Sequence, residues 1–196
     1  MYRNFFEGYL KIVMTMCLFF CVAFVAGSVF CAKTGNDESM QMQEFLTSFL
    51  ESAKEFDFKK TALAGLYDYL KIFGLIFACS FFKPGGAVNS LVLIRRGFMT
   101  GYSFTSFLKV FSEKGILGIL AQTPEIIIFL LVLLIFSSTS TKFAFFSKEN
   151  KKNFFIFFII FSCFSGAIFC GLGFFKGYLT TTFMKWVAVK ILKKKK

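Results

Sequence analysis

Long apolar segments recur along this chain, and the first of them, Ile12 to Ala32, runs for 21 residues without a charged side chain. Four such stretches approach or exceed the roughly 20 apolar residues with which an α-helix crosses a hydrocarbon core of about 30 Å. The mean hydropathy of +0.67 and the hydrophobic share of 56% are far above those of a soluble domain of this size. The sequence therefore predicts an all-α fold, a polytopic membrane helix bundle with about five transmembrane helices, short interfacial helices and no separate soluble domain.

Five spans are predicted within a single membrane domain that covers residues 1–196, at about 12–32, 62–82, 87–111, 124–145 and 153–174. A cleaved signal peptide is the alternative for the first span, because Ala26 and Ser28 are small residues that suit a cleavage site. The apolar region is longer than the apolar h-region of a signal peptide, which has about 7 to 15 residues. We therefore expect the first span to be retained.

Two polar segments are predicted to lie at the membrane interface. In the first, about 39–57, apolar residues recur every three or four positions, at Met42, Phe45, Phe49, Ala53 and Phe56. Charged residues occupy the opposite face, at Glu44, Glu51, Lys54 and Glu55. We expect the apolar stripe to pack against the protein's own spans or the interface, and a dedicated partner-binding helix is the alternative. The second segment, 178–196, is short and basic and is predicted to lie along the interface.

Charged side chains interrupt the second and third predicted spans. Asp68 and Lys71 are three residues apart and can pair on one helix face. Arg95 and Arg96 lie near the middle of the third span, where a charge costs a few kcal/mol or more unless it finds water or an acid. Measured from the turn at Lys83 to Gly86, Asp68 lies about 21 Å back and Arg96 about 15 Å forward. The long arginine side chain can largely close that gap, which makes Asp68 a candidate partner of Arg96.

Glycine and proline mark two further features. Gly97 and Gly101 form a GxxxG pattern, which indicates close approach of another helix, and intramolecular packing is favoured over dimerisation.

The pattern of a helix start is found at Thr123, Pro124 and Glu125. It consists of a capping residue, a proline at the first helical position and an acid at the positive end of the helix dipole. A short interfacial helix at 116–121 is therefore predicted to precede the fourth span.

The net charge of +12 could indicate nucleic acid, but the lysines lie in loops and at the C-terminal end, between apolar segments. Membrane lipids with anionic headgroups explain them better, and no nucleic-acid partner is expected.

The first span and the basic loop before the fifth span predict that the N-terminus lies on the inner side of the membrane. Under that topology 7 Lys and Arg residues lie inside and 13 outside, so the raw count opposes it. Seven of the 13 are C-terminal, from Lys176 onward, and an interfacial tail that returns to the inner face would remove the conflict.

Catalytic and cofactor-binding patterns are missing from the sequence. The chain has no His, and its 6 Cys residues form no CxxC pair. It also lacks paired carboxylates and a glycine-rich phosphate loop. No catalytic residue, cofactor or metal is therefore expected, although the pattern leaves a Ser/Lys dyad within the membrane open. The chain is predicted not to be an enzyme.

Three motifs in this layout resemble the stage II sporulation protein M family of endospore-forming bacteria. The first, Leu93 to Phe104, is similar to the family's basic residue and glycine followed four residues later by another glycine. The second, Lys114 to Ile128, is similar to its glycine-led turn and proline-started helix. The third, Phe174 to Val187, resembles its ending around Tyr178 and Leu179. The chain departs from the family pattern in this last motif, with Lys176 in place of an acid and threonines in place of a proline.

The resemblance implies a scaffold and localising subunit for engulfment, in which the mother-cell membrane migrates around the forespore. Its implied partners are the peptidoglycan-degrading stage II sporulation proteins D and P, and its implied location is the cell membrane at the septum. Glu44, Glu51 and Glu55 are then candidate docking residues. A small permease or transporter subunit is the alternative, with Arg95, Arg96, Asp68 and Glu125 along a polar path. A membrane protein of the same fold outside sporulation also remains open, as does the oligomeric state.

Overall fold

The structure, a computed structural model, describes residues 2–53, 55, 57–145 and 151–192, and all regular secondary structure in these ranges is helical. Seven α-helices are present in them: α1 (Tyr2–Lys33), α2 (Asn36–Ala53), α3 (Phe58–Cys79), α4 (Gly85–Phe111), α5 (Gly115–Ala144), α6 (Lys151–Phe175) and α7 (Thr181–Leu192). A 3-10 turn, Ser112–Lys114, separates α4 from α5, and a π-helical segment, Lys176–Thr180, joins α6 to α7. The predicted all-α fold is confirmed.

The apolar helices are long enough to cross a membrane. Four stretches have the required length and hydropathy: Gly8–Lys33, Phe58–Cys79, Gly85–Ala144 and Phe155–Ile191. The third has 60 residues, about 90 Å at 1.5 Å per residue, which is far more than one crossing needs. Ser112 breaks it into two helices, because its φ of 50° and ψ of −130° are incompatible with a continuing helix. Counted separately, α4 and α5 give the bundle five apolar helices.

The long helices pack in pairs that are not neighbours in sequence. Gly97 of α4 lies against the Phe20 carbonyl of α1, and Gly101, one turn later, lies against the Phe24 carbonyl. The residue numbers rise together, so α1 and α4 run parallel, and a Cβ at either glycine would overlap the α1 backbone. The predicted close packing at this GxxxG pattern is confirmed within one chain.

Antiparallel pairs complete the bundle. On α6 and the π-helical segment, Gly173 lies against Leu66 and Gly177 against Ala62, so this helix runs antiparallel to α3. On α5, Gly118 lies against the Phe107 ring of α4, which begins an antiparallel hairpin at the Ser112 turn. One end of the bundle therefore collects the C-terminal end of α1, the start of α3, the α4–α5 turn and the end of α6. We call this the α2 end, because α2 lies across it.

Stacked phenylalanines form the core between α3, α5 and α6. The ring centroids of Phe143 and Phe158 are 4.5 Å apart at an interplanar angle of 9°, and those of Phe73 and Phe136 are 4.8 Å apart at 20°. Because lipid tails are as apolar as phenylalanine, the stabilisation comes from close packing, at about 0.5–1.5 kcal/mol for each aromatic pair.

A second apolar cluster joins α2 and α7 at the α2 end. It changes which residues of α2 belong to the apolar stripe predicted for 39–57. Met42, Leu46 and Leu50 of α2 are buried together with Met184 and Val187 of α7. The stripe does pack on the protein itself, but Phe45 was wrongly placed in it, since its side chain is 69% exposed. The predicted Phe56 lies outside the described residues. The segment after Tyr178 is a helix packed on α2 rather than one that lies only along the interface.

Pro124 does not start a helix. It lies inside α5, which is continuous from Gly115 to Ala144, so the predicted interfacial helix at 116–121 followed by a new span is wrong. A proline removes one backbone donor from the helix. The chain continues through it, and the Thr123 hydroxyl, expected to cap a helix N-terminus, donates instead to the Ile119 carbonyl at 2.8 Å.

Candidate functional site

A cavity of about 410 Å³ lies within the bundle, between α3 and α4 and backed by α5. The turn at residues 80–84 joins α3 to α4, but the two helices have different main partners: α3 packs on α6, and α4 on α1 and α5. The space between them is lined by both helices, by α5 and by the π-helical segment. Apolar side chains form most of the wall, with a group of charged and hydroxyl side chains among them.

Glu125 of α5 is the acid of this cavity, and only 6% of it is exposed. Its Oε1 accepts a very short hydrogen bond from the Tyr69 hydroxyl, and its Oε2 accepts one from the Thr180 hydroxyl at 2.7 Å. The Lys176 Nζ lies 3.7 Å from Oε1 and 5.4 Å from the centroid of the Tyr69 ring. Three helices, α3, α5 and the α6–π segment, are thus joined through one carboxylate.

Arg96 is the second cation of the cavity. Its guanidinium carbon lies 5.2 Å from the centroid of the Phe129 ring, at a distance that allows a cation–π contact. Within the described residues, no carboxylate lies within ion-pair distance of Arg96. Arg96, Thr100 and Ser103 all line the cavity at positions i, i+4 and i+7 of α4, so they form one polar stripe along that helix.

The predicted pairing of Asp68 is wrong. In the part of the chain that the structure describes, Asp68 forms an ion pair with neither Arg96 nor Lys71, and its side chain is exposed. The reason lies in the helix register of α3. Its neighbour Tyr69 takes the buried face, so Asp68, about 100° further round the helix, points outward. Lys71 lies 5.0 Å from the centroid of the Tyr67 ring instead.

The remaining candidate residues lie away from the cavity. Arg95 is exposed, next to Arg96 but on another face of α4, and Tyr178 is 67% exposed with its ring 5.7 Å from that of Phe58. Gly97 and Gly101 form the contact with α1. The three carboxylates predicted to bind a partner are all exposed at the α2 end: Glu44, Glu51 and Glu55.

Two groups of polar residues were missed in the sequence. The first group is Tyr69 and Thr180, which donate hydrogen bonds to Glu125. Its only signal in the sequence was the position of Tyr69 inside an apolar span. The other group lies near the opposite end of the bundle, where the Asn89 Nδ2 donates to Ser140 Oγ at 3.1 Å and Thr141 Oγ1 at 3.0 Å. The run of five hydroxyl residues at 137–141 in an apolar helix was its signal, because such residues in a span hydrogen-bond across helices.

Two irregular backbone regions border the cavity. Pro124 directly precedes Glu125, and the π-helical segment carries both Lys176 and Thr180. π-helical turns are frequent at functional sites, and broken helices in membrane proteins are tolerated where they face protein or a wet cavity. The cavity therefore combines buried charge, irregular backbone and apolar walls. Among the described residues, no three His, Cys, Asp or Glu side chains cluster as a metal site would require.

The fold and cavity define the class of the protein as an all-α bundle with the helix lengths and hydropathy of a multi-pass membrane protein. Compared with known proteins, the chain matches no family model, no curated protein and no solved structure.

Proposed function

We propose that this chain is the membrane scaffold and localising subunit of a sporulation engulfment complex. It would act at the septum together with peptidoglycan hydrolases of the stage II sporulation D and P types, which would supply the chemistry. The three sequence motifs that resemble the M family support the proposal. A group of acidic residues at one end of the bundle supports it further: α2 carries four of the 11 acidic residues of the chain, and Glu55 and Asp57 directly follow that helix.

The observation that carries the proposal is the division of α2 into two faces. Met42, Leu46 and Leu50 are 8%, 7% and 0% exposed, because they pack against α7 and the bundle. On the other side Glu44 and Glu51 are exposed, as is Glu55 just beyond the helix, and the described residues contain no ion pair for any of the three. A helix fixed by its apolar face presents its carboxylates in a defined arrangement, which suits a basic surface on a partner.

A second cavity adjoins α2 and adds to this surface. It has a volume of about 460 Å³ and lies between α2 and the ends of α1 and α4. Phe45, 69% exposed, stands at its wall next to Gln41 and Glu38. Exposed aromatic side chains beside a recess are typical anchors in protein interfaces. The docking surface that we propose therefore includes Phe45 in addition to the three carboxylates.

The scaffold role is tested in sporulating cells. Deletion of the gene is expected to leave polar septation intact and to stall engulfment, with fluorescent hydrolase fusions dispersed instead of concentrated at the septum. The triple variant Glu44→Lys, Glu51→Lys, Glu55→Lys should disperse the fusions at normal protein abundance. Glu113→Lys, an exposed acid in the α4–α5 turn, is the matched control and should keep septal foci. Normal foci in the triple variant would exclude α2 as the docking surface.

A small permease-type subunit is the second candidate, favoured by a charged cavity bordered by Pro124 and the π-helical segment. Alternating access requires such a cavity to open in turn to both sides of the membrane. Thr100→Cys places a thiol on the cavity wall. Labelling of this thiol above the level of the parent chain by membrane-impermeant maleimides from both sides would support the permease. Labelling from one side only would contradict it.

A further inference from the structure

The charges of the cavity do not balance. Arg96 and Lys176 contribute two positive charges and Glu125 one negative charge, among apolar walls that include Met99 and Leu130. The carboxylate of Glu125 already accepts hydrogen bonds from Tyr69 and Thr180 and forms an ion pair with Lys176. Arg96 is therefore left with the Phe129 ring face, and no carboxylate of the described residues lies within ion-pair distance of its guanidinium. A guanidinium at this depth is costly unless an anion or water meets it.

The polar stripe of α4 leads from the α2 end towards this guanidinium. Arg96 lies about 22 Å along the helix from Phe111, and Ser103 and Thr100 lie between them on the face that lines the cavity. Met99, also on the wall, is 51% exposed, so the cavity reaches the surface of the bundle beside α4. A ligand could thus place a polar head along the stripe while an apolar tail follows the wall towards the surrounding lipid.

We propose that this cavity binds the phosphate group of an anionic phospholipid. Arg96 offers a planar fork of donors that suits phosphate oxygens, and Lys176 adds a second positive charge. A singly charged phosphodiester cancels the net charge of the cavity. The apolar wall and the surface opening favour a lipid over free phosphate as the source of the group. The proposal does not depend on the scaffold role, since Arg96 and Lys176 line the first cavity and the carboxylates proposed for docking, Glu44, Glu51 and Glu55, line neither cavity.

The test uses the full chain purified in detergent and measured by native mass spectrometry. The probes are phosphatidylglycerol, phosphatidylcholine and inorganic phosphate. Phosphatidylglycerol should be retained about tenfold more strongly than phosphatidylcholine, because only the former carries a net negative charge. Arg96→Gln should lower the retention of phosphatidylglycerol about tenfold through the loss of charge-assisted hydrogen bonds, and Arg96→Lys should restore part of it.

Arg95→Gln is the matched control, since it removes the same charge from the next residue, which is exposed. It should retain phosphatidylglycerol as the parent chain does. Equal losses in the Arg95 and Arg96 variants would show general attraction to the bundle surface and overturn the proposal. Retention of inorganic phosphate with no preference for lipid would overturn the lipid as the source. If Arg96→Gln does not accumulate, Ser103→Leu blocks the polar stripe without removing a charge and should lower retention in the same assay.

Discussion

Replacement of Glu125 by alanine should destabilise the bundle more than any other removal of an acid. The change leaves the hydroxyls of Tyr69 and Thr180 without their acceptor and Lys176 without its ion-pair partner. Hydrogen bonds between membrane helices average about 0.6 kcal/mol and reach about 1.7, so two of them contribute about 1–3 kcal/mol. The ion pair adds about 1 kcal/mol, since the lysine side chain is 34% exposed. We expect a total loss of about 2–4 kcal/mol.

The assay is reversible unfolding in mixed micelles with increasing dodecyl sulfate, followed by circular dichroism. Glu125→Gln keeps one acceptor oxygen and should lose about half as much stability as Glu125→Ala. Asp68→Ala is the control, because it removes an exposed acid without an ion pair, and its effect should stay within about 0.5 kcal/mol. In a double-mutant cycle, Lys176→Met and Glu125→Ala should not be additive. Equal losses for Asp68→Ala and Glu125→Ala, or strict additivity, would refute the central position of this carboxylate.

Other predictions concern packing and activity. Gly101→Ala should destabilise the chain by about 1–3 kcal/mol in the same assay, because its Cβ meets the Phe24 carbonyl, whereas Gly74→Ala, with nothing within 4 Å, should be neutral or slightly stabilising. Asn89→Ala should lower stability by about 1–2 kcal/mol, since it removes the donor shared by Ser140 and Thr141, and unchanged unfolding would show that this polar cluster is dispensable. The purified chain should leave peptidoglycan intact, and measurable release of soluble fragments by the chain alone would contradict the scaffold role.

Local rules predicted the elements of this fold well. Apolar runs of sufficient length indicated the long helices, since a span must satisfy its own backbone. The glycine spacing at Gly97 and Gly101 also indicated close packing correctly. The proline rule failed at Pro124, where tertiary packing keeps α5 continuous. The helix continues through the proline because of contacts with neighbouring helices, and the residues around Pro124 in the sequence do not reveal those contacts.

The partners of the buried charges could not be predicted in the same way. Arg96 was recognised as a costly charge within a span, whereas Glu125 was interpreted as the acid of a helix start or of a polar path. Asp68 was chosen as the partner of Arg96 because it lies close along the hairpin. The choice ignored helix rotation, which turns Tyr69 inward and Asp68 outward. It also assumed that α4 is the main partner of α3, whereas α3 packs mainly on α6. The distance along the sequence therefore predicted that Asp68 and Arg96 lie at similar depths in the bundle, but it did not predict the helix face on which Asp68 lies.

The pairing of α1 with α4 and of α3 with α6 has a consequence for biogenesis. As the ribosome delivers the helices in order, α1 enters the bilayer well before α4, its main partner, has been made. The α3 helix likewise precedes α6, and the buried carboxylate receives Lys176 and Thr180 only after α6 has been made. Nascent chains halted before that point expose glycine faces and an uncompensated acid to lipid. Such intermediates are natural substrates for insertase chaperones and membrane quality-control proteases, so late truncations should be degraded rather than accumulate as shorter bundles.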